Sequence, residues 1–203
     1  MEAQSALRYI FLVRHYEPAV ERSGYFNAVE AGKFLNDYDA AGLVQTGFQR
    51  PAGLPGHMVK VYCSALPRAR QTARLLFGEN AELVENADFN EFERKILRLP
   101  LFRFPIEVWL TGARLLWLLG LNDKGIETFG QARERAQRCA RTLALKAEQE
   151  GIVVLVAHGF LNAFIRQALK KNGWKVVRHD GNAYLGVTEL VKPNEAPSQV
   201  RNA

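Results

Sequence analysis

Two histidines stand at the ends of apolar runs. Tyr9 to Val13 (YIFLV) leads into Arg14-His15, and Gly151 to His158 (GIVVLVAH) ends in His158-Gly159. A neutral imidazole nitrogen is a nucleophile able to form a covalent intermediate. A third run, Val59 to Ser64 (VKVYCS), feeds SALPRARQTARLL, which puts Arg68, Arg70 and Arg74 on or near the first two turns of a helix. Arginine never loses its charge and makes forked contacts with phosphate. A helix N-terminus adds free N–H groups and a partial positive charge. Arg68 lies closest to that end, and the three arginines cannot all face one way. Taken singly, each residue reads as a structural histidine or a solvated arginine. Taken together, they read as a pocket for an anion, because ligands in open α/β sheets bind outside the carboxyl ends of strands.

The elements that would position these residues are legible. Continuous apolar runs of this length suit strands buried on both faces, as in a parallel sheet covered by helices. Leu185 to Val191 reads as a fourth strand and Ala81 to Val84 as a weaker fifth. Leu66 to Phe77 has Pro67 in its first turn, Gly78 as a stop and a potential cap in Ser64. Thr128 to Glu150 is a long helix with Ala132, Ala136, Cys139, Ala140, Leu143 and Ala147 on one face, ended by Gly151. Phe160 to Lys171 follows the His158 strand. Strands alternating with helices predict an α/β fold: a three-layer α/β/α sandwich with a mainly parallel central sheet. Residues 92–127 break the alternation with Pro100, Pro105, Gly112, Gly120 and Gly125, and carry Trp109 and Trp117. They are read as a small helical, cap-like insertion in a single domain spanning 1–203. The tail from Pro193 is polar and expected to fray.

Composition removes several classes. The chain has 203 residues, 48% hydrophobic and 24% charged, which is ordinary for a folded domain. No uninterrupted apolar stretch reaches the roughly 18–20 residues of a membrane span, and the opening MEAQSALRYIFLVRH does not resemble a secretory signal. Cys63 and Cys139 form neither a disulfide framework nor a metal cluster. A cytoplasmic location, with no membrane partner, is expected. The net charge of +6 comes from the second half: residues 1–100 carry 12 basic and 12 acidic residues, and 101–203 carry 15 and 9. A nucleic-acid binder would show a denser basic stripe, so the surplus is read as a field for a small anionic substrate.

These segments resemble the histidine phosphatase superfamily, the phosphoglycerate mutase-like proteins. The matching blocks are FLVRHYE (Phe11 to Glu17), LVQTG (Leu43 to Gly47), SALPRARQTA (Ser64 to Ala73) and IVVLVAHGF (Ile152 to Phe160), in the family's order over nearly the full chain. The resemblance implies that His15 is the nucleophile, that Arg14 and Arg68 bind the phosphoryl oxygens, and that His158 and Gly159 complete the pocket. It implies a general acid in FNE, Phe89 to Glu91, where Glu91 is the candidate and Asp88 and Glu93 are the alternatives. It implies no cofactor and no metal, and a small phosphorylated substrate.

Tyr16 stands where the family has glycine, and is expected to narrow the pocket or add a hydroxyl contact. Glu17, followed by Pro18, and Asn182 in GNAYLG are further substrate-side candidates. His57, His179 and the arginines of the long helix read as surface residues. Trp109 and Trp117 read as core, with a homodimer contact left open. The mutase signature after RHGE is not recognisable in PAVERSGYFN, which favours a phosphatase. A mutase-type phosphotransferase and a non-catalytic phospholigand-binding module are the alternatives.

Overall fold

The computed structural model describes residues 7–193 other than 59, 98 and 100. The start of the Val59 strand and the tail beyond Pro193 lie outside the described residues. The sheet has six strands: β1 (Leu7–Arg14), β3 (Lys60–Ser64), β4 (Glu82–Asn86), β6 (Ile152–Ala157), β7 (Lys175–His179) and β8 (Val187–Pro193), in the order β4-β3-β6-β1-β8-β7. The first four run parallel, and β8 is antiparallel to both β1 and β7. The parallel alignment is what makes the ends of β1, β3 and β6 coincide. His15 continues the ladder, donating its backbone N–H to Ala157 at 2.9 Å.

Both faces of the central strands are covered, which is why β1 and β6 read as nearly unbroken apolar runs. Ile10, Leu12, Val153, Leu155 and Leu190 pack against α4 (Phe129–Glu150) and α5 (Gly159–Lys171). Phe11, Val13, Val61, Cys63, Val154 and Val156 pack against α2 (Pro67–Phe77) on the other side. This is the α/β/α sandwich. All six residues of the long helix's apolar stripe are buried. Truncating a fully buried member such as Leu143 to alanine costs about 2–5 kcal/mol. The helix opens on a capping box between Thr128 and Gln131 and closes at Gly151, whose φ of +77° suits glycine.

Among the elements not read from sequence, two are substantial. α1 (Ala28–Ala40) starts at Asn27, which forms a capping box with Glu30. Only Ala31, Phe34 and Tyr38 of α1 are buried, so its stripe is too sparse to stand out. The edge strand β7 carries a register shift between Val176 and Arg178. Ser64 does not cap α2; Leu66 holds that place. Residues 92–127 contain β5 (Phe104–Pro105), paired with β2 (Tyr25–Phe26), and α3 (Ile106–Leu118). Ile106 and Trp109 of α3 join Ala31, Phe34 and Tyr38 of α1 in a separate apolar cluster, whereas Trp117 enters the main core.

Candidate active site

His15 and His158 leave adjacent strands and meet, with ring centroids 5.1 Å apart. Both are almost fully buried, at 2% and 1% exposure, and Arg68 is buried beside them at 1%. Arg68 is the inward arginine of α2. Its Nη1 donates to the Tyr38 carbonyl at 3.1 Å and to Asp39 at 3.0 Å, and its guanidinium lies 4.6 Å from the Tyr38 ring centroid. Arg70 and Arg74 turn outward to Glu85 and Glu79. Arg14 reaches the Asn182 carbonyl and stacks on Tyr184 at 4.3 Å. Gly159 lets the Arg14 side chain lie close, since a Cβ would stand 3.3 Å from Arg14 Cδ.

The hydrogen bonds fix which histidine nitrogen is free. His15 Nδ1 lies 2.6 Å from the Tyr16 carbonyl. A carbonyl only accepts, so Nδ1 carries the hydrogen and neutral His15 keeps its lone pair on Nε2. Burial, the largest cause, and the charges of Arg68, Arg14 and Arg22 push the His15 pKa down to about 3. The ring is therefore neutral and nucleophilic at physiological pH. His158 is lowered well below its ordinary value, first by burial and then by His15, Arg68 and Arg14. Its Nε2 lies 2.8 Å from Ser64 Oγ. Asn90 Oδ1 accepts from both Ser64 Oγ and the Ala65 N–H. The Ser64 hydrogen is thus committed, so His158 Nε2–H donates to Ser64 and its Nδ1 is left unpaired.

Four buried side-chain polar atoms have no partner among the described residues: Arg14 Nε, Arg68 Nε, His158 Nδ1 and Asn162 Oδ1. Three belong to the cluster that the sequence singled out. Unpaired buried polar atoms are costly and rare, and the two guanidinium N–H groups in one place match an anion that accepts from both, with His158 Nδ1 beside them as an unpaired acceptor.

The remaining sequence candidates divide. Glu91 accepts the N–H groups of Phe92, Phe160 and Leu161 at 3.0–3.2 Å, so it caps the start of α5 directly after His158-Gly159. It lines two cavities, one of about 700 Å³ beside Tyr38 and Arg68 and one of about 320 Å³ beside Arg14 and Gly159. Asp88 offers its carbonyl to Arg135, and Glu93 accepts from the Glu127 N–H. Tyr16 takes part through its backbone: its N–H donates to Thr72 Oγ1 at 2.8 Å, while its hydroxyl donates to the Thr46 carbonyl at 2.6 Å and its ring packs on Phe48. The ring therefore does not narrow the pocket as expected. Glu17 is exposed and lines neither cavity. Asn182 lines the smaller cavity.

Sequence reading missed Tyr38, Tyr184 and Arg22. The two tyrosine rings lie 6.5 and 5.6 Å from His15, and Arg22 donates to the Tyr184 hydroxyl at 3.0 Å. The capping box at Asn27 was the one local signal pointing to the helix that carries Tyr38. Among the described residues, no group of three His, Cys, Asp or Glu side chains could hold a metal ion, and no helix is long and apolar enough to cross a membrane.

The family model described as "Histidine phosphatase superfamily (branch 1)" matches residues 10–201. The chain belongs to the histidine phosphatase superfamily. Solved structures share the fold of this superfamily member. Phosphoglycerate mutase from Bacillus anthracis superposes with a TM-score of 0.57 at 18% identity, over 96% of this chain and 92% of that one. Phosphoserine phosphatase from Entamoeba histolytica, solved with 3-phosphoglyceric acid, gives 0.55 at 17% identity, over 93% and 98%. A mycobacterial glucosyl-3-phosphoglycerate phosphatase gives 0.53 at 19%, over 91% and 90%. No curated protein sequence matches the chain.

Proposed function

We propose that this histidine phosphatase superfamily member is a metal-independent phosphomonoesterase acting on a small phosphorylated substrate through a phosphohistidine on His15. His15 Nε2 attacks phosphorus, the N–P bond forms and the ester P–O bond breaks. Glu91, in its protonated form, gives the leaving alkoxide its proton. Water then attacks the phosphohistidine as the Glu91 carboxylate takes a proton, releasing phosphate and restoring the imidazole. Arg14 and Arg68 hold the equatorial oxygens, where catalysis of phosphoryl transfer is mostly positioning and charge. An anion next to His158 draws a proton onto Nδ1, so the ring donates to Ser64 and to the phosphoryl group together. In this reading residues 92–127 act as a cap over the approach to the strand ends.

The observation that carries the proposal is the coincidence of a free His15 Nε2 with three unpaired polar atoms of Arg14, Arg68 and His158. The test is hydrolysis of 4-nitrophenyl phosphate in the presence of EDTA, with acid-labile label trapped on the protein in a rapid quench. His15→Ala is expected to lose about 10⁴-fold or more in kcat, the scale seen when a nucleophile is removed. Unchanged turnover in that variant overturns the assignment. Transfer to an acceptor hydroxyl in excess of hydrolysis assigns the mutase-type reaction instead.

A further inference from the structure

The surplus of positive charge in the second half of the chain is concentrated in one stretch. Residues 129–179, from α4 through β7, carry ten lysines and arginines against three glutamates, a surplus larger than the whole chain's net +6. Two of these cations have carboxylate partners, Arg135 in Glu127 and Arg178 in Asp180. Cations stabilise a helix near its C-terminus and anions near its N-terminus. In α4 that order is reversed: Arg133, Arg135, Arg138 and Arg141 fill its first part, and Glu148 and Glu150 end it. Helix formation therefore gives no reason for Arg133 or Arg141.

Both line a groove between α4 and α5. Arg133, Gln137 and Arg141, one turn apart from each other along α4, form one wall. Gln167, Lys171 and Asn172, at the end of α5 and just past it, form the other. Ala136, Phe164 and Ala168 make an apolar floor. No carboxylate lines the groove, and α5 contains no acidic residue at all. None of the six polar side chains has a hydrogen bond or ion pair among the described residues. Three cations around an apolar floor repel one another, and an anion between them relieves that repulsion. The groove shares no residue with the two cavities at Glu91.

The size of the groove narrows the ligand. It encloses about 190 Å³, the space of about six waters, which suits a compact ion better than a peptide or a nucleic-acid strand. Arg133 and Arg141 lie two turns apart, about 12 Å along the helix axis, a span that one phosphoryl group answers poorly and two linked groups answer well. Guanidinium forks and an ammonium are the donors that phosphate oxygens take best. We propose that the α4/α5 groove is a second anion site, binding a diphosphate group through Arg133, Arg141 and Lys171. With no imidazole and no carboxylate in its lining, the groove holds its ligand without turning it over. The inference stands apart from the role of His15.

Calorimetric titration with methylenediphosphonate, whose P–C–P link resists hydrolysis, tests this. One binding step is expected to persist in Arg68→Met, to weaken about tenfold or more in Arg141→Gln and in Lys171→Gln, as loss of a charge-assisted contact does, and to be unchanged in Arg138→Gln, an exposed arginine of α4 outside the groove. Loss of all binding in Arg68→Met places the probe at the strand ends and overturns the proposal. Equal weakening by Arg138→Gln reads a diffuse field and overturns it too, as does methylphosphonate binding as tightly as the diphosphonate. Amide chemical shifts of the wild type give an independent answer should Arg68→Met not fold: Gln137 and Asn172 are expected to move, and changes confined to His15 and Gly159 overturn the site. ADP in the same titration separates the two sources of a diphosphate. Binding as tight as the diphosphonate upholds a nucleotide in the groove, and weaker binding upholds the free ion.

Discussion

The strand-end cluster and the α1/α3 flank are built in opposite ways. At the strand ends His15, His158 and Arg68 are each at most 2% exposed, and their backbone belongs to a parallel ladder or to the helix that follows it. On the flank, α3 touches α1 through a small apolar cluster and turns Val108, Leu115 and Leu119 outward at 50%, 56% and 71% exposure. The reacting groups are held by backbone hydrogen bonds and close packing, which tolerate little displacement. The flank is held mostly by side-chain packing, with Trp109 Nε1 donating to the Phe26 carbonyl. If His15 is the nucleophile, as proposed, the chemistry belongs to the rigid layer and the flank is free to vary without disturbing it.

Four changes would break or sharpen this contrast. The largest effect is expected from Arg68→Met, which removes the buried guanidinium and should lower kcat/KM by about 10²–10³, the scale for loss of one preorganised charge-stabilising donor; steady-state kinetics on an aryl phosphate checks it. Next comes acid sensitivity. The unfolded chain protonates His15 near its ordinary 6.5, whereas the folded chain resists until about 3, so stability falls as pH drops through that window. The loss is about 1.4 kcal/mol per pH unit for this group, or about 3 kcal/mol from pH 6 to 4. Urea midpoints should therefore fall less steeply with pH in His15→Gln than in the wild type, and parallel slopes would contradict the buried neutral ring. Asn90→Ala strands the Ser64 hydroxyl and the Ala65 N–H, which should cost about 1–3 kcal/mol by denaturant unfolding. Leu119→Ser, on the exposed flank, is expected to stay within about 0.5 kcal/mol in the same measurement.

Much of the fold was legible because burial on both faces leaves a simple signature. The runs ending at Val13 and Ala157 are apolar throughout, the one ending at Ser64 is interrupted only by Lys60, and the helices that cover them begin and end at Pro67, Gly78, Thr128 and Gly151, where capping chemistry is local. What escaped were elements with weak local patterns. α1 buries three side chains in thirteen residues, and β7 is a short edge strand with a register shift. The site divided the same way. His15, His158, Arg14 and Arg68 could be named because each sits at a strand end or in the first helical turn. Tyr38, Tyr184, Ser64 and Asn90 could not, since their part depends on which loops the fold brings against the imidazoles. Tyr16 shows the limit most sharply: its identity drew attention to the side chain, yet it is the carbonyl, common to every residue type, that sets the His15 tautomer.

The sequence by itself determined the layered architecture and singled out His15, His158, Arg14 and Arg68, because periodicity, capping residues and position at a strand end are local properties. Only the tertiary structure decided which nitrogen of His15 is free, that His158 leans on Ser64 and Asn90, and that Arg94 and Arg114 line one groove with Glu91. Those outcomes depend on distances between segments far apart in the chain, and burial converts such distances into charge states and unmet hydrogen bonds.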